Sequence, residues 1–196
     1  VAWTMSHQYN TSYTDRGTGY NYFDGNSWGS LPLNRLESSR CGWPSMLTTD
    51  SGKEIAIAHN TDNSYFQMTH RPTTGIGTWT EQIISYQDLV WNRSTIGGSN
   101  GQSIHMIGVT APTWLNGTIY NGLDGALLYY RSQNGGVSWD IQDMQLPTLD
   151  VSNFNGFEGD NYAIKAKGDT VCIAFFGKWK DTFIMKSTDN GTTWTK

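Results

Sequence analysis

The octets SQNGGVSW (132–139) and STDNGTTW (187–194) decide the fold of this 196-residue chain. Both read Ser-x-Asn/Asp-x-Gly-x-Ser/Thr-Trp, and each directly follows a β-rich run, ALLYYR in one case and TFIMK in the other. A short Asp or Asn side chain accepts hydrogen bonds from turn amides, and Gly136 and Gly191 can adopt the positive φ that a tight hairpin needs. The closing tryptophan returns a large apolar side chain to the neighbouring strands. The pattern therefore predicts two equivalent β-hairpins.

The octet matches the Asp-box, or BNR repeat, and the chain resembles the sialidase-like β-propeller family at these residues. The resemblance implies that the octets are structural, because Asp-boxes lie on blade hairpins away from the active centre in that family. It therefore predicts the shape of the protein more firmly than its function. The matching residues are Ser132, Asn134, Gly136, Trp139, Ser187, Asp189, Gly191 and Trp194.

Two degraded copies of the octet occur upstream. NYFDGNSW (21–28) keeps the glycine and the tryptophan but has Phe23 where the Asp belongs, and RPTTGIGTW (71–79) carries one inserted residue. The closing tryptophans follow one another at intervals of 51, 60 and 55 residues, near the upper end of propeller blade periods. We expect a single domain over residues 1–196, with four blade-length repeats that end near residues 28, 79, 139 and 194.

The number of repeats bears on completeness. Sialidase-like propellers usually have six or seven blades, and four is the lower limit for a closed ring. The chain is therefore expected to be a fragment of a larger propeller or a partly observed chain, and a closed four-bladed ring is the less favoured alternative. The opening run VAWTMS is interpreted as the middle strand of a blade.

Short apolar runs recur within each repeat and predict an all-β fold. EIAIAH (54–59), SIHMIGV (103–109) and TVCIAFF (170–176) are typical of strands buried on both faces. A second strand leads from each of them into the turn, and a further strand precedes each pair, as in PSMLTTDSG and NYAIKAKGD. The run YQDLVWNRS (86–94) is the one stretch interpreted as a helical turn.

The composition limits partners and location. A net charge of −4 without a basic stripe argues against nucleic acid and anionic membranes, and no apolar run approaches the length of a membrane span. Low charge and nine tryptophans are typical of the extracellular members of the family. The resemblance implies a secreted, extracellular or cell-surface protein, of bacterial origin, as part of a larger polypeptide.

Cys41 and Cys172 are too few for a disulfide framework. Cys172 lies inside VCIAFF, where a buried thiol behaves as a small hydrophobic residue. Cys41 lies about two blades earlier, beyond the reach of a disulfide bridge. Both are expected to be free.

The enzymatic alternative is a sialidase-like glycoside hydrolase whose site residues lie partly outside this segment. Its site needs three arginines around a substrate carboxylate, a Tyr–Glu pair and an Asp acid. The Arg-Ile-Pro tripeptide that carries the first arginine in the family does not occur in this sequence. No catalytic residue is therefore assigned, and catalysis by this segment is not expected. Candidates at blade entries, if a site exists, are Tyr162, Glu158, Asp160, Arg40 and Arg93.

Trp114 and Trp179 lie in polar, loop-like surroundings and are candidate contacts for a sugar ring or a partner protein, the alternative being packing onto their own blade. The four histidines show no metal-ligand spacing. Calcium is the one cofactor considered, at the acidic turn Asp24-Gly25-Asn26. The alternative is that these residues form an ordinary turn rich in Asp and Asn. The chain is thus interpreted as a module that binds glycan or protein, and a purely structural module of a surface assembly is a third alternative.

Overall fold

The computed structural model describes residues 1–9, 11–62, 65–84, 88–176 and 182–196. This part of the chain is all-β, with thirteen strands and one short 3-10 turn at Thr113–Leu115. The strands are β1 (Ala2–Met5), β2 (Gly17–Tyr20), β3 (Cys41–Thr48), β4 (Glu54–Asn60), β5 (Phe66–Arg71), β6 (Thr80–Ile83), β7 (Leu89–Gly97), β8 (Ser103–Thr110), β9 (Leu127–Ser132), β10 (Ile141–Gln145), β11 (Tyr162–Lys167), β12 (Thr170–Phe175) and β13 (Phe183–Ser187).

The strands form four antiparallel sheets in chain order. Their strand orders are β1-β2, β3-β4-β5-β6, β7-β8-β9-β10 and β11-β12-β13, so that every sheet is a simple meander. Strand β3 contacts β1 on one side and β7 on the other, and β7 in turn contacts β11. The sheets therefore follow one another through their first strands. We call the end where β3, β7 and β11 begin the entry face, and the opposite end the turn face.

The core lies between successive sheets. All residues of β4 and β8 are buried, as is every residue of β9, because these strands are covered on both faces. In β11 the burial alternates, with Tyr162 and Ile164 inside and Lys165 and Lys167 exposed. The last sheet therefore has one covered and one open face, which is the pattern of a strand packed on one side only.

Residues 89–94 correct one prediction. They form the beginning of β7, not a helical turn, and residues 86 and 87 of that run lie outside the described part. Leu89 and Val90 pair with Thr110 and Val109 of β8. The apolar run LVW is too short to show a helical period, and its hydrogen bonds are made with a neighbouring strand. Tertiary pairing thus overrides the local pattern.

The cysteine predictions hold in part. Both thiols are free, as predicted. Cys41, however, is the fully buried one, and burial raises its pKa to about 12. Cys172 is only half-buried, because β12 alternates and its side chain lies on the open face of the last sheet. The prediction that Cys172 is a core residue was therefore wrong.

The two octets form matching turns after the third strand of their sheets. In the first, the Ser132 hydroxyl accepts a hydrogen bond from the Gly136 amide at 2.8 Å, and Asn134 Oδ1 accepts one from the Ser138 amide at 2.9 Å. Gly136 and its counterpart Gly191 share a φ of +83°. An added Cβ at Gly191 would lie 1.9 Å from the Tyr129 hydroxyl, so both conformation and space require glycine there.

The second octet repeats these bonds and extends them. The Ser187 hydroxyl accepts from the Gly191 amide at 2.8 Å. The Asp189 carboxylate accepts from the Thr193 amide at 2.9 Å and from the Thr193 hydroxyl at 2.6 Å. The Trp194 indole N–H then donates to the Gly191 carbonyl at 3.1 Å. Each position of the octet thus has its own role in holding the turn.

The degraded copies hold their turns differently. Residues 21–28 follow β2, and Asp24, one residue beyond Phe23, accepts the amides of Asn26 and Ser27, both at 2.8 Å. Residues 71–79 connect β5 to β6, and the Arg71 guanidinium lies 4.5 Å from the Trp79 ring centre. All four turn segments therefore lie on the turn face.

Candidate functional site

Two tryptophans near the beginnings of the first strands of the two middle sheets have an unusual backbone conformation. Trp43 in β3 has a φ of 52°, and Trp91 in β7 has a φ of 54°. Each lies at a register shift, between Gly42 and Ser45 in one pair and between Val90 and Arg93 in the other. These are β-bulges at equivalent places, and both lie at the entry face.

The left-handed conformation is uncommon for a bulky side chain and costs on the order of 1–3 kcal/mol. Asp160 also has a positive φ, of 66°, two residues before β11 begins. Such strain clusters at binding and catalytic sites, where the surrounding structure holds it in place. The strained residues therefore make the entry face a candidate ligand site.

The bulges bring four ring systems into one row, which we call the aromatic row: Trp43, His59, Trp91 and Trp114. The Trp43 ring stacks on His59 with 4.7 Å between ring centres. His59 Nδ1 accepts a hydrogen bond from the Trp91 amide at 3.0 Å. The Trp91 ring lies 5.8 Å from that of Trp114, which is 64% exposed. The row thus has an exposed ring at each end, Trp43 and Trp114, and the buried His59 between them.

Gly159 allows the segment before the last sheet to pack closely against the aromatic row. A Cβ on this residue would lie 2.7 Å from the Trp91 indole. The segment before β11 therefore packs directly on the Trp91 ring and places Asp160 beside it. Asp160 forms an exposed ion pair with Arg93 of β7. A carboxylate and a guanidinium thus flank the aromatic row.

The central histidine is held neutral. Burial lowers the pKa of His59 to about 3, and the positive charges of Arg16 and Arg93 add to this effect. The neutral ring keeps an acceptor nitrogen for the Trp91 amide. The Arg16 guanidinium lies 5.1 Å from the ring centre of Trp43, on a cation–π contact. The arrangement favours recognition by ring faces and hydrogen bonds rather than proton transfer by His59.

Arg40 and Arg93, the predicted arginine candidates, are both at or near the entry face. Arg40 directly precedes β3, and its guanidinium donates to the carbonyls of Tyr13 at 3.0 Å and Ser12 at 2.8 Å. Arg93 lies within β7 and not in a connection, which corrects its predicted place. Arg93 also donates to the Asn92 carbonyl at 2.9 Å. Both guanidinium groups are thus used to hold the protein's own backbone.

Tyr162 is placed as a core residue. It is 1% exposed, and its hydroxyl donates to the Trp91 carbonyl at 2.5 Å. Burial raises its pKa above the ordinary value. Glu158 is half-buried in the segment before β11. The structure thus brings Tyr162, Asp160 and Arg93 to one end of the fold, but it does not present the tyrosine hydroxyl to solvent.

Of the two aromatic candidates, Trp114 belongs to the aromatic row and Trp179 lies outside the described residues. Sequence reasoning missed Trp43, Trp91 and His59. A signal existed, because Trp43 and Trp91 are 48 residues apart, close to the repeat interval of the turns. Their conformation has no sequence marker, since positive φ is normally a property of glycine.

The described residues offer neither a metal cluster nor a membrane-spanning helix. Within the described ranges, no group of three or more His, Cys, Asp or Glu side chains is arranged to hold a metal ion. Asp24, the calcium candidate, uses Oδ1 to close its own turn. None of the helical structure in the described residues is long and apolar enough to cross a membrane.

Comparison with known proteins adds no assignment. The sequence matches no model of a known protein family, and a search of curated proteins also finds no match.

Proposed function

We propose that this chain is a glycan-binding module and that the aromatic row on the entry face contacts the sugar. The carrying observation is the exposed Trp114 ring, which lies 5.8 Å from the Trp91 ring, together with the strained bulges that hold Trp43 and Trp91. Ring faces that are held in place offer an apolar surface at low entropic cost. The Arg93–Asp160 pair supplies donors and acceptors beside these rings for sugar hydroxyls.

A glycan suits this surface better than a protein partner. The centre of a protein interface is depleted of charged groups, and charges lie at its rim. Here an exposed ion pair lies directly beside the aromatic row. Small-ligand sites, in contrast, combine aromatic walls with a few convergent polar groups.

The proposal includes the architecture. We propose that the four sheets are consecutive blades of a sialidase-like β-propeller, in a ring of six or seven blades. Support comes from the adjacent first strands β3, β7 and β11 and from the four turns, which follow β2, β5, β9 and β13. A secreted location in a larger bacterial surface protein is part of the same proposal and rests on the family resemblance.

Binding without catalysis is favoured by the placement of the candidates. A tyrosine nucleophile must reach its substrate, whereas the Tyr162 hydroxyl is buried and bonded to the Trp91 carbonyl. Arg40 holds two backbone carbonyls, so its fork is not directed at a substrate carboxylate. The same contacts make both residues supports of the entry face.

A glycan array with the fluorescently labelled chain tests the proposal. We expect saturable binding to a small set of glycans and at least about tenfold weaker binding for Trp114→Ala, because loss of a central aromatic contact costs 1–2 kcal/mol or more. Val137→Ala is the matched control, since Val137 is 73% exposed on the turn face. Equal binding by both variants would contradict the proposal, as would hydrolysis of a fluorogenic sialoside that Tyr162→Phe abolishes.

A further inference from the structure

A second concave surface lies at the opposite end of the molecule, on the turn face. It is a cavity of about 280 Å³ between the first turn (residues 21–28) and Gly75 of the second turn. Its lining includes three aromatic residues, Tyr20, Tyr22 and Trp28, and one charged residue, Asp24. We call it the turn-face cleft. It shares no residue with the aromatic row.

The rings of the cleft are held in place by close packing. A Cβ at Gly75 would lie 2.6 Å from the Tyr22 ring, so this glycine lets the ring close the gap between the two turns. Trp28 packs on Phe23 with 5.3 Å between ring centres and is nevertheless 55% exposed. An aromatic surface thus remains open to solvent without a partner from the described residues covering it.

The negative charge of the cleft favours a positively charged ligand. Asp24 is the one charged residue among the described residues that line it, and none of these is basic. Hydrogen bonds from the amides of Ser27 and Asn26 lower the pKa of Asp24, so its carboxylate stays ionised. Aromatic faces together with a carboxylate attract a cation. The Arg71 guanidinium, 4.7 Å from the Tyr20 ring centre, is paired with the buried carboxylate of Glu54.

The hydrogen-bonding groups of the cleft further limit which kind of cation it can bind. Asp24 Oδ1 accepts two turn amides, and Asn21 Oδ1 accepts the Tyr22 amide at 2.8 Å. The Tyr20 hydroxyl is engaged with Glu54 at 2.9 Å. A primary ammonium has three N–H donors to satisfy, and of the oxygens of these three side chains only Asp24 Oδ2, which accepts a 3.5 Å bond from the Ser27 hydroxyl, is largely open to it. A trialkylammonium group needs no acceptors and gains from contact with ring faces.

We propose that the turn-face cleft binds a small trialkylammonium cation of the choline type, a function separate from glycan binding at the entry face. The cavity volume lies at the lower end of ligand sites and suits such a head group. Trp28 and Tyr22 supply the ring faces, and Asp24 supplies the opposite charge.

The test follows the Trp28 indole resonance by NMR while choline chloride is added at constant ionic strength. We expect a saturable shift in the millimolar range, and at least tenfold weaker binding of 3,3-dimethylbutan-1-ol, which has the same shape without the charge. Nα-acetyl-lysine methylamide, a primary ammonium, should also bind more weakly. Phosphocholine should not bind more tightly than choline, because its phosphate is repelled by Asp24.

Two variants separate charge from shape. Asp24→Asn should weaken choline binding at least fivefold while the thermal midpoint is kept, because Asn134 holds the equivalent turn with an amide. Trp28→Leu removes the indole reporter, so its binding is followed by saturation transfer from the protein to the choline methyl protons; it should abolish the binding, and Trp114→Ala should leave it unchanged. Equal binding of the neutral isostere, displacement of choline by an equal concentration of a methyl glycoside, tighter binding of phosphocholine or the lysine derivative, or no shift at all would overturn the assignment.

Discussion

The tryptophans that close the octet turns differ in burial. Trp194 is 7% exposed, lies edge-on to Tyr129 at 5.0 Å and donates its indole N–H to the Gly191 carbonyl. Trp139 is half-buried, and its indole N–H has no hydrogen-bond partner among the described residues. The same octet position therefore contributes differently to the two sheets, because each neighbouring surface is different.

Trp194→Ala should lower the free energy of unfolding by about 3–5 kcal/mol, the range for loss of a large buried aromatic side chain. Trp139→Ala should cost less, and Trp114→Ala, on an exposed ring, should cost less than about 1 kcal/mol. Urea unfolding of the three variants measures this order. A loss at Trp114 as large as that at Trp194 would show that the burial described here is wrong.

The second octet turn should tolerate an amide side chain at position 189 but not the methyl group of alanine. Its carboxylate accepts the amides of Thr192 and Thr193, and these bonds with the Thr193 hydroxyl hold its pKa well below the ordinary value. Asn134 makes the equivalent bond in the first octet. We therefore expect a small fall in the thermal midpoint for Asp189→Asn and a clearly larger fall for Asp189→Ala. Equal midpoints for the two variants would refute this role of the carboxylate oxygen.

A buried ion pair within the second sheet is linked to the first sheet by a tyrosine hydroxyl. Arg71 of β5 lies 2.5 Å from Glu54 of β4, and both side chains are almost fully buried. The Tyr20 hydroxyl of β2 accepts from Arg71 at 2.6 Å, and burial and Glu54 raise the Tyr20 pKa to about 12. The first sheet is thereby tied to the second through polar contacts as well as apolar ones.

Glu54→Gln should lower the free energy of unfolding by about 3–5 kcal/mol, because removal of one partner leaves a buried charge without its counterion. The double variant Glu54→Leu with Arg71→Met should recover most of this loss, since no charge then remains buried. Denaturant unfolding measures both. A double variant as unstable as the single one would indicate that packing, not charge, dominates at this position.

The buried histidines make stability depend on pH. Burial lowers the pKa of His59 to about 3 and that of His105 to about 4. The unfolded chain takes up these protons near pH 6.5, so the histidine contribution is present above that pH and is lost as the pH falls. Each histidine should reduce the free energy of unfolding by up to about 1.4 kcal/mol per pH unit below 6.5.

Unfolding measured between pH 7.5 and 5 checks this dependence. His59→Gln should reduce the slope but not abolish it, because burial also lowers the pKa of His105 and of the partly buried His70. Val137→Ala, at an exposed position without an ionisable group, is the control and should leave the slope unchanged. An unchanged slope in His59→Gln would contradict the account of His59 as a neutral ring buried between sheets.

The strands around the turns could be predicted because their information is local. EIAIAH, SIHMIGV and NYAIKAKGD carry apolar runs next to turn residues, and they form β4, β8 and β11. Strand β7 was missed because its first residues, Leu89 and Val90, depend on pairing with β8. The half-burial of Cys172 was missed because sequence does not show which face of a sheet is covered.

The entry face was only partly predictable. Arg40, Arg93 and Asp160 were identified as residues at strand entries, and Trp114 as an exposed aromatic. Their common location depends on the order of the sheets, which brings β3, β7 and β11 together. The conformation of Trp43 depends on a β-bulge that cannot be predicted from the residue types around it. Sequence can therefore name the chemical groups of the site, while only the fold shows that they form one surface.

The most direct measurement for this account is the shift of the tryptophan indole resonances when a glycan identified on the array is added. The nine tryptophans give nine reporters over both ends of the fold. The account predicts saturable shifts at Trp43, Trp91 and Trp114 on the entry face and none at Trp139 or Trp194 on the turn face. Shifts confined to the turn face, or no glycan bound at all, would contradict it.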